Sequence, residues 1–157
     1  MASTTTYTAR SILESFYDAE RIYMASPPEE RDFSGMAATL SKEVRLKQSS
    51  GLPYAGEYTG PDGFQQWAKA MADYFDKVDV QNPEIFEKEG SNRIISLGYL
   101  HLKVRKTGEE LKYPLCQVIQ VDLEVGVIKS IMPFYWDVYA LNEAIGYTPG
   151  VKRSWLF

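Results

Sequence analysis

Cysteine and histidine are almost missing from this 157-residue sequence, which has one of each, Cys116 and His101. A lone cysteine excludes an internal disulfide, and one cysteine with one histidine cannot build the usual Cys/His zinc constellations. No apolar run approaches the ~18 residues of a membrane-spanning helix. The opening Met1-Ala2-Ser3-Thr4-Thr5-Thr6 has no basic region followed by an apolar stretch, so no secretory signal is expected. Positive charge is scarce too. Lys plus Arg is 17 against 21 for Asp plus Glu, a formal net charge of -4, which gives no clustered cationic surface for a nucleic-acid backbone. The reading is a cytoplasmic protein with neither nucleic acid nor membrane as partner. No metal is expected, and no glycine-rich phosphate loop of the usual spacing appears, so no cofactor is expected either.

What is present in abundance is tyrosine. The chain holds 11 Tyr, 7 Phe and 3 Trp, together 13% of its residues. Tyrosine buries a ring while its hydroxyl still needs a partner, which suits a pocket or interface that is part apolar and part polar. Half-exposed surface tyrosines account for the same surplus. A hydrophobic fraction of 45% supplies one generous core for a chain of single-domain length.

Apolar spacing predicts the elements. Ile12, Leu13, Phe16 and Tyr17, then Ala19, Ile22 and Tyr23, recur at helical period from about Ala9, and Ser26-Pro27-Pro28 ends that helix. Asp32 or Ser34 caps a short helical piece carrying Met36, Ala37 and Leu40. Val44 to Gln48 alternates as a strand. After a turn-rich stretch from Ser49 to Gly63, Pro61 and Asp62 start a third helix with the stripe Phe64, Trp67, Ala68, Met71, Ala72, Tyr74 and Phe75. Strands are expected over Pro83–Glu89, Ser91–Arg105, Lys112–Asp122 and Val127–Trp136, with turns at Thr107-Gly108 and Glu124-Val125-Gly126. A short helix follows Asp137 and closes at Gly146. Helices first and antiparallel strands after make an α+β domain over residues 9–147, between arms at 1–8 and 148–157. Neither face of the strand around Ile94–His101 is cleanly polar, which predicts homodimerisation through the sheet.

The stretch Gly51-Leu52-Pro53-Tyr54-Ala55-Gly56-Glu57-Tyr58-Thr59-Gly60, then Phe64 and Trp67, and Pro133-Phe134-Tyr135-Trp136-Asp137 resemble the nuclear transport factor 2-like superfamily. Within it the sequence is similar to SnoaL-like polyketide cyclases and small isomerases; ketosteroid isomerase and scytalone dehydratase are more distant relatives. The resemblance implies a cone-shaped fold, with N-terminal helices against a strongly curved, mostly antiparallel sheet and a pocket between them. It implies cyclisation, isomerisation, dehydration or no catalysis at all.

Several residues are candidates for the chemistry. Asp137, after an aromatic strand, is a general acid or base if it enters an apolar cavity, and a helix cap otherwise. His101 is the one imidazole and the natural proton carrier near neutrality, though a lone strand histidine is also an ordinary surface or interface residue. Tyr54 and Tyr58 in the turn segment offer hydroxyls to a substrate oxygen, with Glu57 as a base; loop carboxylates also simply face water. Arg45 and Lys47 share a strand face, where either stabilises an enolate or binds a carboxylate if it points inward, and is a solvated strand charge otherwise. The resemblance places Tyr17 where ketosteroid isomerase has an oxyanion-hole tyrosine. Trp67, Met71, Tyr74, Met132, Phe134 and Trp136 form an aromatic wall or an ordinary core. Cys116 reads as a small core residue. The functional expectation is a cofactor-independent cyclase or isomerase of a hydrophobic polyketide- or terpenoid-derived molecule. The alternatives are a dehydratase of the same fold and a non-catalytic small-molecule carrier or dimeric scaffold.

Overall fold

The computed structural model describes residues 6–150. The outer parts of the two expected arms, residues 1–5 and 151–157, lie outside the described residues. Four helices pack against one six-stranded sheet: α1 (Ala9–Ala25), α2 (Ser34–Ala37), β1 (Leu40–Gln48), β2 (Gly56–Thr59), α3 (Gly60–Tyr74), β3 (Phe75–Glu87), β4 (Arg93–Val104), β5 (Glu110–Asp122), β6 (Val127–Tyr135) and α4 (Val138–Ile145).

Local chemistry explains the helix ends. Thr8 caps α1 in a reciprocal box, its side chain accepting from Ser11 N while Ser11 Oγ accepts from Thr8 N, each at 3.0 Å. Pro61 occupies the first turn of α3, where its missing N–H costs nothing. Asp137 caps α4 by accepting from Ala140 N at 2.8 Å, and Gly146 ends it in the left-handed conformation at φ 70. One arginine closes two helices: Arg105 donates to Ala72 O and Met24 O at 2.8 Å and to Phe75 O at 3.3 Å, tying the last turns of α3 and α1 together.

The expected strongly curved cone is corrected by the sheet, although four of its five strand pairs are antiparallel as expected. Its strand order is β2-β1-β6-β5-β4-β3, open between the edge strands β2 and β3, and it is neither closed nor strongly curved. It is also mixed, because β1 runs parallel to β6. The chain leaves the β1–β2 hairpin through α3, reaches the far edge at β3, and meanders back until β6 meets the free side of β1. Turn residues announce each hairpin of that meander. They carry no information about where the long return ends.

Two boundaries also move. The third helix stops at Tyr74, and β3 begins at Phe75 rather than Pro83. The register of β3 on β4 shifts between Gln81 and Glu84, where Asn82 has φ 51. Gly98 of β4 faces that irregularity. A Cβ there would lie 2.8 Å from Gln81 O, so only glycine lets the two backbones approach.

The sheet has an inner face under the helices and an outer face without cover among the described residues. Along β4, Ile94, Ser96, Leu100, Leu102 and Val104 are buried, while Ile95, Leu97, Tyr99, His101 and Lys103 point the other way. Phe16, Leu13, Phe64 and Met71 from the helices meet Leu46, Leu100, Leu102 and Ile131 from the strands in one continuous core. Among the described residues no helix is long and apolar enough to cross a membrane.

Candidate active site between the helices and the inner sheet face

A polar cluster sits inside the core, where the helices meet the inner faces of β1, β5 and β6. A cavity of about 20 Å³ is lined there by Phe16, Glu20, Gln48, Trp67, Gln117 and Tyr135, with Met71 and Leu46 among its apolar walls. Phe16, Phe64 and Trp67 form an edge-to-face aromatic stack on its helical side, with centroids 5.8 and 5.0 Å apart.

Glu20 is the charged residue that this core should not contain. It lies on the buried stripe of α1 between Phe16 and Tyr23 and is 5% exposed. Among the described residues no hydrogen bond or ion pair reaches its carboxyl. Burial, helped by the negative charge of Asp79, pushes its pKa up from 4.5 to about 8. At neutral pH it is therefore mainly a neutral acid with an unshared proton.

Hydroxyls surround it. Tyr17, one turn earlier on α1, lies 2.5 Å from Gln117 Oε1 and 3.0 Å from Ser96 Oγ. An amide oxygen only accepts, so the phenol proton goes to Gln117 and Ser96 donates to Tyr17. Tyr54 donates to the Tyr135 hydroxyl at 3.2 Å, which leaves the Tyr135 proton available. Burial raises the pKa of both Tyr17 and Tyr135, and the Glu20 charge adds to each shift. Tyr54 is raised by the same desolvation, and Tyr58 is held at its side by donating to Tyr54 O at 3.0 Å. Every phenol here is neutral and keeps its proton, and those of Tyr17, Tyr54 and Tyr58 are already given to Gln117, Tyr135 and Tyr54 O.

Of the residues singled out from sequence, Tyr17, Tyr54, Trp67 and Met71 converge on this cluster. Tyr74 is half-buried beside Phe75, away from the cavity. Asp137 lies at the start of α4 as its cap; its charge is felt by the buried Tyr113 but it does not line the cavity. His101 is on the outer face, between Glu110 Oε1 at 3.1 Å and Gln81 Nε2 at 3.4 Å. Met132, Phe134 and Trp136 are exposed, the last at 77%. Arg45, Glu57, Tyr58 and Met132 line a separate, open depression of about 580 Å³ on the outer face, with Arg93 and Lys47. Lys47 and Glu57 pair there at 3.6 Å while well exposed, a solvated contact of little energy. The outer depression is larger, but its charges are already hydrated. The inner cluster is where desolvation changes chemistry. Cys116, expected in the core, is half-buried on the outer side of β5.

Glu20, Gln48, Gln117 and Tyr135 were not singled out from sequence. One signal was there for Glu20: it falls three and four residues after Tyr17 and Phe16, at the period of the apolar stripe. Among the described residues no three of His, Cys, Asp and Glu come together as a metal set.

No protein-family model matches the chain, and no curated protein matches it. Solved structures do. An NTF2-like protein of unknown function from Burkholderia pseudomallei superposes with a TM-score of 0.68 at 19% identity, over 87% of this chain and 95% of that one. A candidate polyketide cyclase from Xanthomonas campestris pv. campestris gives 0.65 at 17%, over 88% and 94%. A protein with a ketosteroid isomerase-like fold from Catenulispora acidiphila, in complex with trimethylamine, gives 0.68 at 10%, over 90% and 97%. The arrangement of helices on a mixed sheet is the NTF2-like, ketosteroid isomerase-like fold, shared here at low sequence identity.

Proposed function

We propose that this protein is a cofactor-independent acid/base catalyst, a cyclase or isomerase, acting on a neutral carbonyl compound of polyketide or terpenoid type held between the helices and the inner sheet face. The observation that carries the reading is Glu20, a carboxyl buried without a partner and poised near pH 8. A group with that pKa gives up and takes back a proton near neutrality, as isomerisation and aldol-type closure require. The free Tyr135 proton, backed by Tyr54, meets the oxygen on which negative charge develops. Tyr17 is spent on Gln117 and holds the floor of the site. In this reading the proton-transfer role moves to Glu20 from Asp137, His101 and Glu57.

A cavity of about 20 Å³ is on the order of one water, so a substrate enters by displacing a wall. Met71 is the wall that can give, being unbranched and adaptable. That same small volume favours the second reading, a non-catalytic carrier or scaffold whose buried glutamate is a structural oddity. Deuterium exchange next to the carbonyl of aryl ketones in D2O separates the two. Exchange that is lost in Glu20→Gln and kept in Asp137→Asn and His101→Gln supports catalysis. Wild-type exchange no faster than buffer leaves the carrier.

The partner proposed for the outer face is a second copy of the chain. Registered neighbours there are Ile95, Val118 and Met132 in one row and Leu97, Cys116 and Phe134 in the next, with Tyr99 opposite Pro114 beyond them. Arg93, Lys47 and Glu57 rim this apolar area with both signs of charge, as a two-fold self-contact needs.

A further inference from the structure

Two polar atoms in the inner site have no role in the proton transfer above. Trp67 and Gln48 both line the cavity and are each 4% exposed, and neither Trp67 Nε1 nor Gln48 Oε1 has a hydrogen-bond partner among the described residues. Such groups are rare in folded proteins and call for an explanation. They come from different elements, Trp67 from the middle of α3 and Gln48 from the last position of β1, so one local distortion does not account for both.

Their chemistry is complementary. An indole N–H only donates, and an amide oxygen only accepts. Gln48 and Tyr135 line the cavity together, and Gln48 partly offsets the upward push on the Tyr135 pKa, as the NH2 end of an amide facing that hydroxyl does. Oε1 is therefore the free end. A ligand completing this wall must accept from Trp67 and donate to Gln48. Among the described residues no lysine, arginine or histidine lines the cavity, so none of them neutralises an anion there, and a carboxylate would also leave Gln48 Oε1 without a donor.

We infer that Trp67 and Gln48 form a specificity pair selecting a neutral ligand that carries a hydroxyl or enol beside its carbonyl, and rejecting acids and phosphates. The inference rests on the proposed reading of the inner cavity as a ligand site and adds the substrate class to it. Trp67 Nε1–H holds one oxygen as a donor. Gln48 Oε1 takes the hydroxyl proton, and Glu20 is left free for the carbon next to the carbonyl.

The test is calorimetric titration of the full chain with phenacyl alcohol, acetophenone and benzoate, together with the indole N–H resonance of Trp67 in a two-dimensional spectrum. Phenacyl alcohol is expected to bind about tenfold more tightly than acetophenone, benzoate not at all, and the Trp67 resonance to move with both ketones. Gln48→Leu should erase the tenfold preference without weakening acetophenone. Trp67→Phe should weaken both ketones by a similar factor. Thermal melts of both variants check that they fold, and the preference ratio within one variant is unaffected by a modest loss of stability. Equal binding of the two ketones by the wild type, binding of benzoate, a preference that survives Gln48→Leu, or no binding of any probe at millimolar concentration overturns the inference. Loss of exchange in Glu20→Gln is read separately, so the specificity pair can fail while the acid/base reading stands, and the reverse.

Discussion

Replacing Glu20 by Gln should make the protein more stable, by an amount set by pH. In the unfolded chain this carboxyl titrates near 4.5, and in the folded protein near 8. Below pH 4.5 it is protonated in both states and contributes no pH-dependent term. Between the two values the folded state holds a proton that the unfolded state has released, so stability falls as pH rises through that window. At pH 7 the unfolded chain gains two and a half pH units of ionisation at about 1.4 kcal/mol each, a penalty of roughly 3 kcal/mol. Above pH 8 the penalty levels off at roughly 5 kcal/mol. Gln has nearly the same shape and never ionises, so the variant escapes this term. Urea unfolding of both proteins from pH 4 to pH 9 checks it. The gap between variant and wild type should open from a constant offset at pH 4 to about 3 kcal/mol more at pH 7, about 6 to 12 °C in melting temperature. The offset itself reflects how the amide packs and carries no weight. Curves that stay parallel across the range would refute the argument, because Glu20 would then be solvated or paired in the folded protein. A stabilised variant that has lost proton exchange would show that the buried acid is kept for function at a cost in stability.

Further outcomes follow from the same packing. Gly98→Ala places a methyl group 2.8 Å from Gln81 O and should destabilise by about 1 to 3 kcal/mol, read in thermal melts, whereas the same change at Gly35, where a Cβ meets Ala19 Cβ at an ordinary 3.7 Å, should cost far less. Arg105→Met keeps the aliphatic packing but frees the carbonyls of Met24, Ala72 and Phe75; a loss of about 2 kcal/mol is expected, with faster amide exchange in the last turns of α1 and α3. Phe134→Glu puts a charge into the centre of the outer apolar rows and should convert a dimer to a monomer in sedimentation velocity, while a wild type that already sediments as a monomer removes the proposed second copy.

Strands that follow one another through tight turns were legible in the sequence, because glycine at Gly108 and Gly126 marks hairpins and alternation marks the flanking strands. The parallel contact of β1 with β6 was not, since pairing partners far apart in sequence leave no local mark. The first helix shows the same limit at the level of one side chain. Its apolar period is plain, yet Ile22 emerges 66% exposed while Glu20 turns inward. A helix of 17 residues has several apolar arcs that differ by one position, and hydrophobicity alone assigns the isoleucine to the core. What turned the helix is the contact of α1 with β3 and the demand of Phe16 and Tyr17 for their places beside Phe64 and Gln117.

Composition and short-range pattern by themselves determined the absence of an internal disulfide, the α+β class, the start of the third helix at Pro61, the stop at Gly146 and the hairpins at Gly108 and Gly126, because each depends on composition or on residues within a turn of one another. The tertiary structure alone decided which face each strand shows. That choice sent Gln48, Gln117 and Tyr135 inward to meet Glu20 of α1, and put His101, Glu57, Arg45, Met132 and Phe134 outside. Side chains on a strand alternate with a period of two, so a shift of one residue exchanges the faces, and only the docking of α1 and α3 on the sheet selects one of them.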